Sequence, residues 1–221
     1  ISDDVYKDAL VIVVDTATSD RIYDDRYKLG KFLIKIDHHI AVENYGQLNY
    51  VREDLPATCA IIGDFYETFK TQLTLTKDGA HALYVGLTTD TGRFKYRGVN
   101  GDVMRIAGTL LDFGLDLERI YASLYLKDSK TFILQGYVYE NFKQTPNGVS
   151  YIYFSRKTQK KYGVTPEDAA ALVNSLDSIK GNMIWIAFVE QADKSIRVRM
   201  RSRFVRVVEV ASLYRGGGHA N

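Results

Sequence analysis

An aspartate and two histidines stand side by side at the end of an apolar run, in the stretch KIDHHI. Two further aspartates, Asp15 and Asp90, follow apolar segments in the same way as Asp37, His38 and His39. Carboxylates gathered in one place repel one another, and a bound divalent cation removes that cost. Oxygen and imidazole ligands together suit Mn²⁺, Zn²⁺ or Fe²⁺, and a carboxylate-rich set favours Mn²⁺ or Mg²⁺. These residues predict a metal centre if the fold brings them together.

Each of these signals has an ordinary structural explanation when it stands alone. A single aspartate after a strand, such as Asp15 or Asp90, is usually a turn or capping residue. A pair of histidines alone is a weak signal of metal binding. The functional interpretation requires the sites to converge. In an open parallel sheet they would do so, because ligands bind at the carboxyl ends of its strands.

The first part of the chain has the pattern of such a sheet. Two short β-branched runs, at residues 10–14 and 32–36, are typical of strands that are buried on both faces of a parallel sheet. Apolar spacing and capping residues predict the following helices. They cover residues 57–70, 78–87, 102–113, 116–126 and 129–143. The fold class predicted here is α/β with a mostly parallel sheet.

A second, smaller α/β unit with a mixed sheet is predicted after the turn at residues 146–148. A strand is expected at 149–155, a helix at 165–176, and a strand pair at 183–190 and 195–204. We therefore divide the chain into a first domain, a helical linker and a second domain. These cover residues 1–118, 119–147 and 148–221.

The composition is that of an ordinary globular protein, with 46% hydrophobic and 25% charged residues among 221. The net charge of +2 does not by itself require a polyanionic partner. No run approaches the roughly 18 apolar residues of a membrane span, so no membrane association is expected within the chain. The single cysteine, Cys59, excludes an intrachain disulfide, and we expect a reducing, cytoplasmic location.

Four arginines alternate in the stretch SIRVRMRSRF, at positions 197, 199, 201 and 203. Alternation along a strand predicts that they share one face. One interpretation is a solvated edge strand that its charges protect from aggregation. The other is a phosphate-binding surface, because guanidinium groups match phosphate oxygens in pairs of hydrogen bonds.

Three stretches in this order, VVDTATSDR, IDHH and GLTTDTGRF, resemble the second, third and fourth motifs of the DHH phosphoesterases. The closing RVRMRSRFVRVVEVASLYRGGGHA resembles the DHHA1 substrate-binding domain of that family. The layout is most similar to the bacterial oligoribonucleases (nanoRNases) that also dephosphorylate 3′-phosphoadenosine 5′-phosphate. The resemblance implies a DHH domain, truncated at its N-terminus, and a smaller mixed-sheet DHHA1 domain.

The resemblance also implies a role for each residue of the first cluster. Asp15, His38 and Asp90 correspond to metal ligands, with Asp15 bridging two ions. Asp37 and His39 correspond to catalytic residues, Asp37 orienting the site and His39 facing the scissile phosphate. The implied chemistry is in-line attack on phosphorus by water that two Mn²⁺ ions activate, with Mg²⁺ or Co²⁺ as alternatives.

A second set of residues corresponds to the substrate-binding groups of the family. In the second domain these are Arg199, Arg201, Gly216, Gly217, Gly218 and His219. In the first domain, Arg93 is a candidate for reaching a substrate phosphate, with an ion pair to a nearby acid as the alternative. The implied partners are short single-stranded RNA or DNA and phosphorylated nucleotides, and a homodimer is an allowed assembly.

One motif of the family is missing from the chain. A His-x-x-x-Asp-x-Asp element would lie before Asp15, where residues 1–14 contain no histidine. We expect this segment to belong to a longer natural protein, so these 221 residues alone would hydrolyse weakly or not at all. Two alternatives to the short-oligonucleotide and 3′-phosphoadenosine 5′-phosphate hydrolase stay open. One is a cyclic- or linear-dinucleotide phosphodiesterase, and the other is a nucleotide-binding module without catalysis.

Overall fold

The computed structural model describes residues 2–217. It forms two compact units, Ile1–Leu124 and Tyr125–Asn221. Each unit has its own sheet and its own buried core. Among the described residues, no helix combines the length and the apolar character that crossing a bilayer requires.

The described part of the first unit contains a three-stranded parallel sheet, and the sequence predicts a parallel sheet with two of these strands. Its strands are β1 (Leu10–Val14), β2 (Phe32–Asp37) and β3 (Leu48–Val51), in the order β1–β2–β3. Residues Val14 and Ile36 are paired in register, so β1 and β2 end at the same edge of the sheet. Strand β3 was not predicted, because its sequence LNYV has no continuous apolar run.

Among the described residues, five α-helices lie in the first unit, the last of them ending one residue beyond its boundary. They are α1 (Asp3–Tyr6), α2 (Thr58–Phe69), α3 (Lys77–Asp90), α4 (Gly101–Leu111) and α5 (Leu117–Tyr125). Fully buried side chains of α2, α3 and α4, such as Ala60, Leu87 and Val103, form its core. Helix α3 continues three residues beyond the predicted end at Leu87. Asp90 is therefore the last residue of a helix.

The second unit contains a four-stranded mixed sheet, which confirms the predicted fold class. Its strands are β4 (Lys143–Gln144), β5 (Val149–Phe154), β6 (Ile184–Glu190) and β7 (Ile196–Ser202), in that order. Strands β5 and β6 are parallel, and the other two pairs are antiparallel. Up to residue 217, where the described chain ends, four α-helices accompany the sheet. They are α6 (Ser129–Asn141), α7 (Arg156–Tyr162), α8 (Pro166–Ala171) and α9 (Val208–Leu213).

The start of α8 follows the predicted capping pattern. The Thr165 hydroxyl accepts a hydrogen bond from the Asp168 N–H, and the Asp168 carboxylate accepts one from the Thr165 N–H. Reciprocal bonds of this kind satisfy two backbone donors that a helix start leaves open. The predicted helix over 165–176 continues after α8 only as the 3₁₀ turn Leu172–Leu176.

Candidate metal centre and arginine strand

Asp15 is held by two different elements at the edge of the first sheet. Its N–H donates to the carbonyl of Ile36 at 3.0 Å, which extends the β1–β2 ladder by one residue. Its backbone has φ +58°, a left-handed conformation that aspartate tolerates better than most residues. The Thr58 hydroxyl, in the first turn of α2, donates to Oδ1 at 3.0 Å. The carboxylate is thereby fixed from both the sheet and the helix.

His38 lies between two of the predicted ligands. Its Nε2 is 3.3 Å from Asp15 Oδ1 and 3.9 Å from Asp90 Oδ2, and its side chain is only 7% exposed. One ligand atom each from Asp15, His38 and His39 lie within 4.8 Å of one another. The structure thus brings Asp15, His38 and His39 close enough to share one cation, and Asp90 at the end of α3 lies next to His38.

Asp90 approaches this cluster because α3 packs closely on α2. One turn before it, a Cβ on Gly86 would lie 2.3 Å from the Sγ of Cys59. Any side chain at position 86 would push the two helices apart, and glycine removes this obstacle. The close approach of the helices brings the carboxylate of Asp90 beside His38.

Asp37 lies behind the cluster and is fully buried. Its Oδ1 accepts three hydrogen bonds, from the N–H groups of His38 (2.9 Å) and His39 (3.2 Å) and from the His39 Nδ1–H (2.7 Å). Its Oδ2 has no hydrogen-bond partner within the described chain. The nearest cation is the Nζ of Lys35, 3.6 Å away. Asp37 therefore orients His39 and the chain that carries His38.

The charges of the cluster are arranged as a cation site would need. The hydrogen bond from His38 lowers the pKa of Asp15, although partial burial opposes it. Burial and the negative charge of Asp15 raise the pKa of Asp90. Burial by itself lowers the pKa of His38. The hydrogen bond to Asp15 and the charges of Asp15 and Asp90 outweigh burial, so the pKa of His38 is raised overall. Two repelling carboxylates beside an imidazole are a donor set that a divalent cation would relieve.

The sequence interpretation missed two residues of the site, one with a local signal and one without. Lys35 interrupts the apolar run FLIKI of a buried strand, and a charge at such a position is rarely buried without a partner. Thr58, which bonds Asp15 from 43 positions away, gives no local signal, because only the packing of α2 on the sheet joins them.

The arginine strand is shorter than predicted. Strand β7 ends at Ser202, so Arg203 and Phe204 lie outside it, and Phe204 has a left-handed backbone (φ +66°) that breaks the extended run. The Arg203 guanidinium instead donates to the carbonyl of Asp177 and lies 5.7 Å from the ring centre of Trp185. The prediction that four arginines share one face of the strand is therefore wrong for the last of them, Arg203.

Three arginines do alternate along β7, and they differ in their partners. Arg197 pairs with Glu167 at 3.0 Å. Arg201 donates to the carbonyl of the neighbouring Met200 at 3.0 Å. Partial burial and the two flanking arginines lower the pKa of Arg199. Like charges crowded in this way favour an anion as ligand.

The remaining predicted substrate residues are distributed over other segments. Arg93 is exposed three residues after Asp90, with φ +64°. Gly216 and Gly217 are exposed after α9, and the Gly216 N–H donates to the carbonyl of Ala211 at 2.8 Å. Gly218 and His219 lie outside the described residues.

Two family models match the chain, the N-terminal domain of the DHH family over residues 1–87 and the DHHA1 domain over residues 148–221. A Streptococcus mutans protein described as a probable bifunctional oligoribonuclease and PAP phosphatase, NrnA, is 42% identical over 219 residues. The alignment covers 99% of this chain and 70% of that protein. The chain belongs to the DHH family. The resemblance drawn from its motifs is confirmed.

Two further proteins are similar to this DHH chain. The bifunctional oligoribonuclease and PAP phosphatase NrnA of Bacillus subtilis is 34% identical over 220 residues, which cover 99% of this chain and 70% of that protein. A crystal structure of an exopolyphosphatase-related protein from Bacteroides fragilis matches with a TM-score of 0.88 at 26% identity. That match covers 99% of this chain and 66% of the other, so the chain spans somewhat less than two thirds of that relative.

The raised pKa of His38 predicts that acid weakens metal binding to the DHH unit. A metal ion needs the neutral imidazole, so it must displace a proton whenever the pH is below the pKa of His38. Because that pKa is above its usual 6.5, competition already begins above pH 6.5 and grows as the pH falls. Mn²⁺ titrations of the intact protein at about pH 8 and about pH 6 should show an affinity that is severalfold lower at the acid value.

The same titrations on a His38→Gln variant provide the control. Binding should be weak at both pH values, and its change between them should be smaller than in the wild type, because the competing imidazole proton is gone. Equal Mn²⁺ affinity of the wild type at both values would contradict a ligand role for His38.

Proposed function

We propose that this DHH protein is a metal-dependent phosphoesterase that hydrolyses short oligonucleotides to mononucleotides and 3′-phosphoadenosine 5′-phosphate to AMP. The observation that carries the proposal is the convergence of Asp15, His38 and Asp90, with distances of 3.3 and 3.9 Å from the His38 Nε2 to the two carboxylates. The names of the Streptococcus mutans and Bacillus subtilis relatives support this choice of substrates.

We assign the metal to Asp15, His38 and Asp90. The carboxylate-rich donor set supports Mn²⁺, with Mg²⁺ or Co²⁺ as alternatives. The described residues would supply ligands for one ion, and the second ion that the family motifs imply is part of the proposal. When bound, the metal would lower the pKa of water and stabilise negative charge on the phosphate oxygens.

The remaining residues of the cluster position the reacting groups. Asp37 accepts the Nδ1–H of His39, which fixes the ring and leaves Nε2 as the nitrogen that would face the scissile phosphate. Thr58 holds Asp15 with its hydroxyl. The roles of Asp37 and His39 as catalytic residues, and that of Arg93 as a phosphate contact, are proposals.

Residues 148–221 are proposed to bind the nucleotide end as a DHHA1 domain, with residues 1–118 as the DHH domain and 119–147 as the linker. Arg199 and Arg201 would hold a phosphate, with Gly216 to His219 contributing backbone donors and an imidazole. A cytoplasmic location and a homodimer remain predictions of the sequence.

Loss of either phosphate-binding arginine should weaken substrate binding more than turnover. A charge-assisted hydrogen bond contributes roughly 1.5–3 kcal/mol, so Arg199→Gln or Arg201→Gln should raise the KM for 3′-phosphoadenosine 5′-phosphate about tenfold or more. Arg197→Gln is the matched control on the same strand, because Arg197 already pairs with Glu167. Initial rates over a substrate series measure the effect, and an equal rise in KM for all three variants would argue against a specific phosphate site.

The function itself is tested by product analysis with the intact protein. A labelled short RNA, 3′-phosphoadenosine 5′-phosphate and a linear dinucleotide are each incubated with Mn²⁺ or with a chelator. Mononucleotides from the RNA and AMP from the second substrate, both only with Mn²⁺, are the expected products. Cleavage of the dinucleotide alone would favour a dinucleotide phosphodiesterase. Tight binding of all three without cleavage would favour a nucleotide-binding module.

A further inference from the structure

Lys35 is a lysine in the middle of a buried strand, with a side chain that is 0% exposed. Its ammonium group donates to the carbonyls of Ala17 (2.8 Å) and Glu43 (2.9 Å) and lies 4.9 Å from the ring centre of Tyr45. Burying an ammonium ion costs several kcal/mol unless its charge and its donors are matched. The partners of Lys35 therefore indicate what the buried charge does.

The two carbonyls belong to the two loops that carry the predicted site residues. Ala17 is two positions after Asp15, and Glu43 is in the loop that follows His39. Lys35 thus links the two loops through one hydrogen bond to each of them. Further hydrogen bonds join the same loops. They run from the Ser19 N–H and Oγ–H to the Glu43 carboxylate (2.8 and 2.7 Å) and from the Tyr45 hydroxyl to the Thr16 carbonyl (2.8 Å).

The third partner of Lys35 is Asp37. All three hydrogen bonds to the Asp37 carboxylate go to Oδ1, including the one from His39. Its Oδ2 is buried without a hydrogen bond, and the Nζ of Lys35 is 3.6 Å from it. Lys35 therefore faces one oxygen of the Asp37 carboxylate while His39 bonds the other, and its positive charge balances the buried carboxylate.

On the basis of the proposed function, we propose that Lys35 is a positioning residue for hydrolysis. Its ammonium group holds the Asp37 carboxylate in the orientation that accepts the His39 Nδ1–H, and its hydrogen bonds to the Ala17 and Glu43 carbonyls keep the ammonium group itself in place. Lys35 itself is buried and would touch neither substrate nor metal. Its effect on the reaction passes through Asp37.

Replacing Lys35 by methionine keeps the length of the side chain and removes its charge and its donors. Groups that orient the residues of a metal site typically contribute 10–100-fold, so Lys35→Met should lower kcat by about that factor. The KM for a short RNA should stay within about twofold, because Lys35 makes no contact that binds substrate.

A double-mutant cycle with Asp37→Asn tests whether Lys35 acts through Asp37. In the Asp37→Asn background, Lys35→Met should lower kcat by no more than about threefold. An undiminished further loss of 10–100-fold would overturn the proposal. If Lys35→Met alone fails to fold, comparing the kcat of Asp37→Asn with that of the double variant still tests the proposal. The double variant lacks both charges of the pair, so it buries neither of them without a partner.

A spectroscopic measurement separates this inference from the proposed function. These 221 residues contain four histidines, so ¹⁵N-histidine labelling gives few signals from them, and a His39→Asn variant assigns the His39 signals. The Nδ1–H of His39 should be protected from exchange in the wild type and lost in both Lys35→Met and Asp37→Asn. An unchanged signal in Lys35→Met would overturn the proposal whether or not the protein hydrolyses RNA.

Gln159 offers the matched control, because its buried Nε2 also donates to two backbone carbonyls, those of Phe154 (3.0 Å) and Glu190 (2.8 Å). It belongs to the second unit. Gln159→Met should lower the Tm while leaving the His39 signal and kcat unchanged. If Gln159→Met reproduced the changes of Lys35→Met, those changes would reflect general destabilisation, and the proposal would be wrong.

Discussion

Asp15→Asn should abolish hydrolysis of both a short RNA and 3′-phosphoadenosine 5′-phosphate, lowering kcat/KM by more than about 100-fold. Residues that merely orient a metal ligand already contribute 10–100-fold, and Asp15 is a candidate ligand at the centre of the cluster. Asparagine adopts left-handed backbone as readily as aspartate, so the φ of +58° is preserved. Initial rates at saturating Mn²⁺, together with Mn²⁺ affinity by calorimetry, measure the loss.

Asp8→Asn is the matched control for this substitution. Asp8 also has a left-handed backbone (φ +63°), lies just before β1 instead of just after it, and is exposed. It should keep wild-type rates and wild-type Mn²⁺ affinity. Wild-type turnover by Asp15→Asn, or an equal loss in both variants, would show that the Asp15 carboxylate is not a functional ligand.

The convergence of Asp15 with His38 and His39 was predictable from the sequence, for a physical reason. Both preceding strands are short, mainly apolar runs, although Lys35 interrupts the second, and this pattern is typical of a parallel sheet, whose strands end at one edge. The apolar pattern of the two strands is therefore enough to predict that these side chains meet at one edge of the sheet. The fold class of both units was predictable on the same grounds.

The contribution of Asp90 depends on tertiary packing that no local pattern contains. The sequence predicted that α3 ends before TTDTG, whereas the helix runs on to Asp90 and approaches α2 at Gly86 and Cys59. The burial of Lys35 is a similar case, because its partners Ala17 and Glu43 are loop carbonyls without any sequence signature. Such contacts follow from the assembled fold.

Asp90 should destabilise the folded protein when no metal is bound and stabilise it when Mn²⁺ is bound, because of where it packs. Burial and the charge of Asp15 raise its pKa, so its ionised form is disfavoured in the folded protein. For an acid with a raised folded pKa, this penalty is absent well below the unfolded value near 3.8 and is complete once the pH exceeds the folded pKa. At neutral pH, Asp90→Asn should therefore raise the Tm of the metal-free protein while it lowers kcat/KM by more than about 100-fold.

Mn²⁺ should reverse the order of stability. A ligand present at about 100 times its Kd stabilises the native state by roughly 2.7 kcal/mol, or about 5–10 °C in Tm for a protein of this size. Wild type should gain this shift and Asp90→Asn should not, so the variant melts higher in chelator and lower in Mn²⁺. Asp78→Asn, an exposed acid in the first turn of the same helix, should respond to Mn²⁺ like wild type. If Asp90→Asn showed the full rise in Tm with Mn²⁺, Asp90 would not be a metal ligand, and only Asp15 and the histidines would bind the ion.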